Sequence, residues 1–248
     1  MPRVTFAFAF ALALQASSPI AAQGYLEPHE LPGLPAWLAP APTSGSVREA
    51  ADLDEYLAAR AVLDTPRGVE AIADNVYDPA NVVLRFDEAL GFRLDRGNAP
   101  RLIALMDRVM RDEETMLHPV KRSVREGGRL RPYVRFQSLP ACPHERDDRL
   151  WNLAGSGAYP SGHAMLGWTW ALLLSEAAPA RSSELLRRGY EFGRSRLICG
   201  FHWPSDIEAG RAAASTLVAR LHADPAFEKD WRAARREISA AARQAPRH

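Results

Sequence analysis

Two short strings in the second half of the chain carry the residue types that could do chemistry. The first is Ser195-Arg196-Leu197-Ile198-Cys199-Gly200-Phe201-His202-Trp203-Pro204-Ser205-Asp206, where a histidine follows an arginine by six positions and an aspartate follows four later. Pro204 suits the first turn of a helix, where its missing N–H costs nothing. His202 then stands at or just before the helix N-terminus, with Asp206 one turn along. A carboxylate so placed accepts from one imidazole nitrogen and leaves the other facing outward, as nucleophile or base. Taken alone, His-x-x-x-Asp is short, and two neighbouring surface residues would look the same. The second string, Tyr159-Pro160-Ser161-Gly162-His163, precedes an apolar run over residues 164–174. Pro-Ser-Gly reads as a tight turn, and Ser161 or Gly162 fits as the N-cap of the helix that follows. Such an end offers unpaired N–H groups and a positive dipole to an anion. Two helix N-termini, each bearing a histidine, suggest one shared anion site.

Together with Lys121 and Arg131-Pro132, these strings resemble the signature of the type 2 phosphatidic acid phosphatase and vanadium haloperoxidase superfamily. That signature is a Lys with Arg-Pro, then Pro-Ser-Gly-His, then Ser-Arg, five residues, His, three residues and Asp. Pro160 to His163 and Ser195 to Asp206 match it without gaps. The flanking residues 155–159, Gly189-Tyr190-Glu191, Ile198-Cys199-Gly200 and residues 221–227 resemble the secreted class A bacterial non-specific acid phosphatases. The likeness runs from about Leu38 onward and is strongest after Arg131.

The resemblance implies an all-α, single-domain helical bundle and a metal-independent phosphoric monoester hydrolase that needs no cofactor. By it, His202 attacks phosphorus to form a phosphohistidine, while Asp206 fixes its tautomer and stabilises the charged ring. His163 protonates the leaving alcohol and then activates water. Arg131, Arg196, Lys121, the Ser161 hydroxyl and the Gly162 N–H bind the phosphoryl oxygens, which must be neutralised in the transition state. One piece departs from the pattern. The family leaves six residues between its Lys and Arg-Pro, and that position here is Val124; nine residues separate Lys121 from Arg131. A three-residue insertion around Gly127-Gly128 would restore Lys121 to the site, and Arg125, one turn beyond it, is the alternative. Two other functions fit the motif: a vanadate-dependent haloperoxidase, and a phosphate-binding protein that has lost turnover.

The elements that must position these residues read as helices with few strand signals. Ser46 and Glu49 form a capping-box pattern ahead of Leu53, Tyr56, Leu57 and Leu63. Thr65-Pro66 opens a short helix through Val69, Ile72 and Val76. Pro100 begins a long one with Leu102, Met106, Val109 and Glu113 on one side and Ile103, Met110 and Leu117 beside it. These apolar stripes are expected to pack into a core. Residues 125–149 are the least regular part, and of the five arginines from Arg122 through Arg135 only Arg131 is expected in the site. Residues 181–198 suggest a helix with Leu185, Leu186, Phe192 and Leu197 inward and Arg187, Arg188 and Arg194 outward. A helix from Pro204 would carry Ile207, Gly210, Ala214, Leu217 and Leu221 on one face. Residues 226–242 read as a weakly amphipathic final helix.

The ends and the composition set the setting. Residues 1–22 have a positive start, an apolar run of signal-peptide length and Ala21-Ala22 for cleavage, so export to the periplasm or medium is expected. A membrane anchor is the weaker reading, because the run falls short of the ~20 residues a span needs. Residues 23–45 are rich in proline and read as an extended arm over the surface, leaving 46–248 as the helical domain. A formal charge of +1 with no basic stripe argues against nucleic acid. Small phosphate monoesters are the expected partners, with no membrane, and a homo-oligomer is left open. Cys142 and Cys199 are the only cysteines. In an exported chain that count permits one disulfide, which we expect, against two separate buried thiols. Neither has companions at metal-ligand spacing. His29, His118, His144, His222 and His248 lack a matched partner and are expected in surface or structural roles.

Overall fold

A run as apolar as residues 164–174 can only be stable surrounded on all sides, and it becomes the central helix. The structure is a computed structural model that describes residues 23–143 and 152–245. The expected signal peptide, His144 and His248 lie outside the described residues. In order the chain forms α1 (Val47–Arg60), α2 (Pro66–Ala73), α3 (Pro79–Val83), α4 (Asp87–Leu90), α5 (Pro100–Leu117), α6 (Pro132–Arg135), α7 (Gly162–Ala177), α8 (Ser182–Ile198), α9 (Pro204–Leu221) and α10 (Pro225–Gln244), with single 3₁₀ turns between some of them. Among the described residues the secondary structure is helical except for one isolated bridge, Ser123 to Ser156. The expected all-α bundle is what the chain forms. No helix among the described residues is long and apolar enough to cross a membrane.

Local chemistry starts most of these helices. Ser46 Oγ accepts from Glu49 N at 3.2 Å, Asp224 Oδ1 accepts from Phe227 N at 2.8 Å, and prolines occupy the first turns of α2, α5, α9 and α10. Around α7, helices α8, α9 and α5 bury Phe192, Leu185, Leu217, Ala214, Met106 and Leu102. α10 lies along α5, and Phe227, Trp231, Ala234, Ile238 and Ala241 face inward. That spacing of three and four is strongly amphipathic, so the weak pattern expected for this helix is corrected: two large aromatics outweigh the alanines and arginines around them.

On α1 the expected face is inward in part, with Tyr56 buried and Leu53 and, just past the helix end, Leu63 packed on the core, while α2 turns a different face inward from the one its apolar stripe suggested. On α1 the buried residues are Asp52, Tyr56 and Ala59, while Leu57 is exposed. On α2 they are Gly68 and Ala71, continued by Asp74 and Asn75, while Val69 and Ile72 are exposed. The reason is polar. Asp74 accepts from Ser195 Oγ at 2.6 Å and from Arg188, and Asn75 accepts from Arg196. A buried carboxylate must meet its donors, and that requirement outranks two solvated side chains. Arg188 is correspondingly drawn inward, against the outward position its helix pattern implied.

The arm is irregular apart from a 3₁₀ turn at Leu34–Ala36, but its first residues do more than cover the surface. Tyr25, Leu26 and Leu34 are buried, and the Tyr25 and Leu26 N–H groups donate to Asp112 at 2.8 and 3.1 Å. Cys142 and Cys199 form the expected disulfide, with Cα atoms 4.8 Å apart. It ties the irregular segment to the end of α8, just before the His202 loop.

Candidate active site

Gly200, in the left-handed conformation at φ 79°, ends α8 and turns the chain towards Pro204. His202 lies in that turn and Asp206 on the first turn of α9, as the spacing implied. The carboxylate accepts from Trp203 N at 2.9 Å, and its Oδ2 lies 3.4 Å from His202 Nδ1. The other ring nitrogen, Nε2, is 3.0 Å from Arg131 Nη1. A guanidinium has donors and no acceptor, so Nε2 must present its lone pair and the ring proton must sit on Nδ1, facing Asp206. The His202 side chain is 4 % exposed. Burial holds its basicity well below the usual histidine range, and Arg131, Lys121, Arg196 and His163 push the same way. His202 is thus a neutral imidazole with an unprotonated nitrogen in a cationic setting. Burial raises the Asp206 carboxyl, opposed chiefly by Arg129 and the Trp203 N–H.

The second string meets the first through the backbone. Ser161 N donates to the Asp206 carbonyl at 2.9 Å, and Ser161 Oγ caps α7 by accepting from Ala164 N at 3.2 Å. This contact needs Gly210, since a Cβ there would lie 2.3 Å from the Ser161 carbonyl. The Ser161 hydroxyl therefore has a capping role, and Gly162 and His163 are the residues of this turn that reach the cavity. The His163 ring stacks on Phe192, with centroids 4.4 Å apart and planes 1° from parallel.

The cavity encloses about 300 Å³ and is lined by Lys121, Arg131, Arg196, Gly162, His163 and His202, with Asn75, Val76, Tyr77, Leu117, Leu153 and Ser156 as walls. Glu114 and His118, both exposed, stand at its edge. Every expected histidine, arginine and lysine of the motif lines this one cavity. Lys121 Nζ donates to the Pro160 carbonyl at 2.7 Å. Burial and the neighbouring Arg131 lower its amine to about 7, partly offset by Asp206. Arg125 instead lies exposed on the turn Val124–Glu126. The extra residues between Lys121 and Arg131 form a small loop closed by Gly128 N to the Ser123 carbonyl at 2.8 Å, which restores Lys121 to the cavity. Arg131 is 2 % exposed, aimed by the carbonyls of Leu153 (2.8 Å) and Ser156 (3.2 Å). Arg196 lies over the Phe201 ring at 4.0 Å and donates to Asn75.

Several residues here were not read from the pattern. Arg129, expected in solvent, is buried against Asp206, Ser205 and Asp52. Its signal was its place two residues before Arg131, since alternate residues of an extended segment share a side. Asn75, Tyr77 and His118 line the cavity without any motif to mark them. His222 has the structural role expected, bonded to Glu228 at 2.6 Å and Glu176 at 3.2 Å, and His29 is exposed.

Comparison with known proteins places this geometry in context. A profile of the PAP2 superfamily matches residues 118–228, which hold the whole motif. The chain is similar to a non-specific acid phosphatase of Providencia stuartii, 37 % identical over 205 residues that make up 82 % of this chain and 80 % of the relative. It is likewise 37 % identical over 205 residues to an acid phosphatase of Zymomonas mobilis, covering 83 % of this chain and 75 % of the relative. A non-specific acid phosphatase of Salmonella typhimurium is 32 % identical over 219 residues, 88 % of this chain and 84 % of that one.

Proposed function

The chain belongs to the PAP2 superfamily, and from that premise we propose that it is an exported acid phosphatase, hydrolysing phosphate monoesters of broad specificity through a phosphohistidine at His202. The observation that carries this reading is the His202 ring itself. Its Nδ1 faces a buried carboxylate and its Nε2 faces a cavity ringed by Lys121, Arg131 and Arg196. The three cations and the Gly162 N–H neutralise the phosphoryl oxygens as charge spreads over them. Arg131 Nη1, which holds Nε2 in the free protein, exchanges that nitrogen for a phosphoryl oxygen when substrate enters. Nε2 then gives its lone pair to phosphorus, the P–O ester bond breaks, and His163 delivers a proton to the departing alcohol. Positive charge left on the His202 ring is met by Asp206. His163 next takes a proton from water, whose oxygen attacks phosphorus and breaks the N–P bond, returning His202 to its starting form. Export is supported by the apolar N-terminal run and by the disulfide, which suits an oxidising compartment.

Two variants test the roles. His202→Ala is expected to abolish turnover of every ester and to form no phosphoprotein. His163→Ala loses about 10²–10⁴-fold on an alkyl phosphate, where the leaving oxygen needs a proton. On p-nitrophenyl phosphate the same variant still forms the intermediate but clears it slowly. Rapid-quench mixing with labelled substrate therefore shows a burst of acid-labile phosphoprotein in the His163 variant alone. A burst from the His202 variant refutes the assignment.

A further inference from the structure

The hydrogen-bonded chain behind the nucleophile continues past Asp206. Asp206 Oδ1 accepts from Arg129 Nη1 at 2.8 Å, and that nitrogen also lies 2.7 Å from Ser205 Oγ. Arg129 Nη2 lies 2.5 Å from Asp52 Oδ2 on α1. Asp52 accepts in addition from Ser205 N at 3.0 Å and Ser205 Oγ at 2.5 Å. The groups are buried: Asp52 is 4 % exposed, Asp206 0 %, and the Arg129 side chain 8 %. We propose that Arg129 and Asp52 are positioning residues for phosphoryl transfer, Arg129 holding Asp206 ionised and aimed at His202, and Asp52 holding Arg129. The inference rests on His202 being the nucleophile.

Charge balance is the physical argument. A fully buried carboxylate with a neutral imidazole as its only neighbour would take up a proton rather than stay charged. Arg129 removes that option by donating to Oδ1, which leaves Oδ2 for His202 and the Trp203 N–H. One guanidinium shared by two carboxylates leaves one net negative charge on Asp52, Arg129 and Asp206 together. That is the charge needed when the N–P bond forms and the His202 ring becomes positive. The segment that carries Arg129 is fixed on both sides, with Ala158 N on the Arg129 carbonyl at 2.8 Å and Trp203 Nε1 on the Leu130 carbonyl at 2.7 Å. Arg129 and Arg131, two residues apart, thus grip the same dyad, one at the carboxylate and one at the imidazole. Asp52 also supplies an anion at the N-terminus of α9, where Ser205 N would otherwise lack a partner. This explains why α1 buries Asp52 and leaves Leu57 in solvent.

A tie that merely joined α1 to α9 would affect stability alone, so the test reads chemistry as well. The variants are Arg129→Met, Arg129→Lys, Asp52→Asn and the double Arg129→Met/Asp52→Asn, with the exposed Arg125→Met as control. Phosphoprotein formation from labelled p-nitrophenyl phosphate, the pH profile of kcat/KM and the thermal midpoint are measured for each. Arg129→Met is expected to slow phosphoprotein formation about 10²-fold, the scale of losing one preorganised donor. It should also move the acidic limb of kcat/KM to higher pH, because Asp206 without Arg129 ionises later. The other groups bearing on Asp206 are His202, Lys121, Tyr159 and, through Ser205, Asp52; these remain. Arg129→Lys keeps the charge and loses the fork, so it recovers part of the rate. Asp52→Asn slows phosphoprotein formation about tenfold, and the double variant is no slower than Arg129→Met because the two act through one another. Parental rate and pH profile in a folded Arg129→Met, or losses that simply add in the double, overturn the proposal. If Arg129→Met does not fold, parental rates of phosphoprotein formation in both Arg129→Lys and Asp52→Asn overturn it equally. Absence of acid-labile phosphoprotein in the parent overturns the nucleophile assignment and this inference with it; parental phosphoprotein with unaffected variants overturns this inference alone.

Discussion

Lys121 is expected to set the alkaline limit of activity. Its amine is lowered to about 7 by burial and by Arg131, with Arg196 adding to the repulsion. The sign follows directly: the ammonium is present below that value and is lost as pH rises through it. Only the ammonium can help neutralise a phosphoryl oxygen, so kcat/KM should fall tenfold per pH unit above about 7. At pH 8 roughly one molecule in ten retains the charge, giving about a tenfold loss relative to pH 6. Arginine stays protonated throughout this range. Lys121→Arg should therefore flatten the alkaline limb, with less than about a twofold fall from pH 6 to 8, whatever its effect on the maximum. Lys121→Met should lower kcat/KM about 10²-fold at pH 6, where the ammonium is fully formed. The assay is initial-rate hydrolysis of p-nitrophenyl phosphate from pH 4 to 9 in buffers of constant ionic strength. Arg125→Ala serves as the comparison and should match the parent. An alkaline limb in Lys121→Arg that coincides with the parent's would refute the reasoning, and so would a larger loss in Arg125→Ala than in Lys121→Met.

The disulfide spans a separation of 57 residues, for which loop-closure entropy gives about 4 kcal/mol. Cys142→Ser/Cys199→Ser should lower the thermal midpoint by about 8–16 °C, and an unchanged melting curve would contradict this. Gly210→Ala places a Cβ 2.3 Å from the Ser161 carbonyl, so α9 must withdraw from the turn and break the Ser161–Asp206 link. A loss of kcat of about tenfold or more, read against circular dichroism that stays helical, is expected, and parental kcat would show that the link has no catalytic weight. Lys121, Arg131 and Arg196 supply the charge that a metal would otherwise bring. Hydrolysis should accordingly persist after exhaustive EDTA dialysis, and activity restored only by added divalent cation would overturn that expectation.

How much was legible before the fold was known divides along a physical line. The order of His163, Arg196, His202 and Asp206, the cap at Ser161 and the proline at Pro204 are local features. Their spacing along one helix turn or one tight turn already states which groups can meet. The inward position of most of residues 164–174 follows from composition, because so apolar a run has little to offer water. Lys121 could be favoured over Arg125 but not settled, since the choice depended on how residues 122–130 loop out against Ser156 and Gly157. The burial of Asp52 on α1 and the inward face of α2 were misread for a deeper reason. Hydrophobic periodicity ranks side chains by their own affinity for water, whereas Asp52, Asp74 and Arg129 are buried because of partners far along the chain. A charge is excluded from an interior only while it is unpaired. Whether Asp52 finds Arg129, or Asp74 finds Arg188 and Ser195, is decided by the packing of α1 and α2 against α8 and α9, which no local window of residues contains.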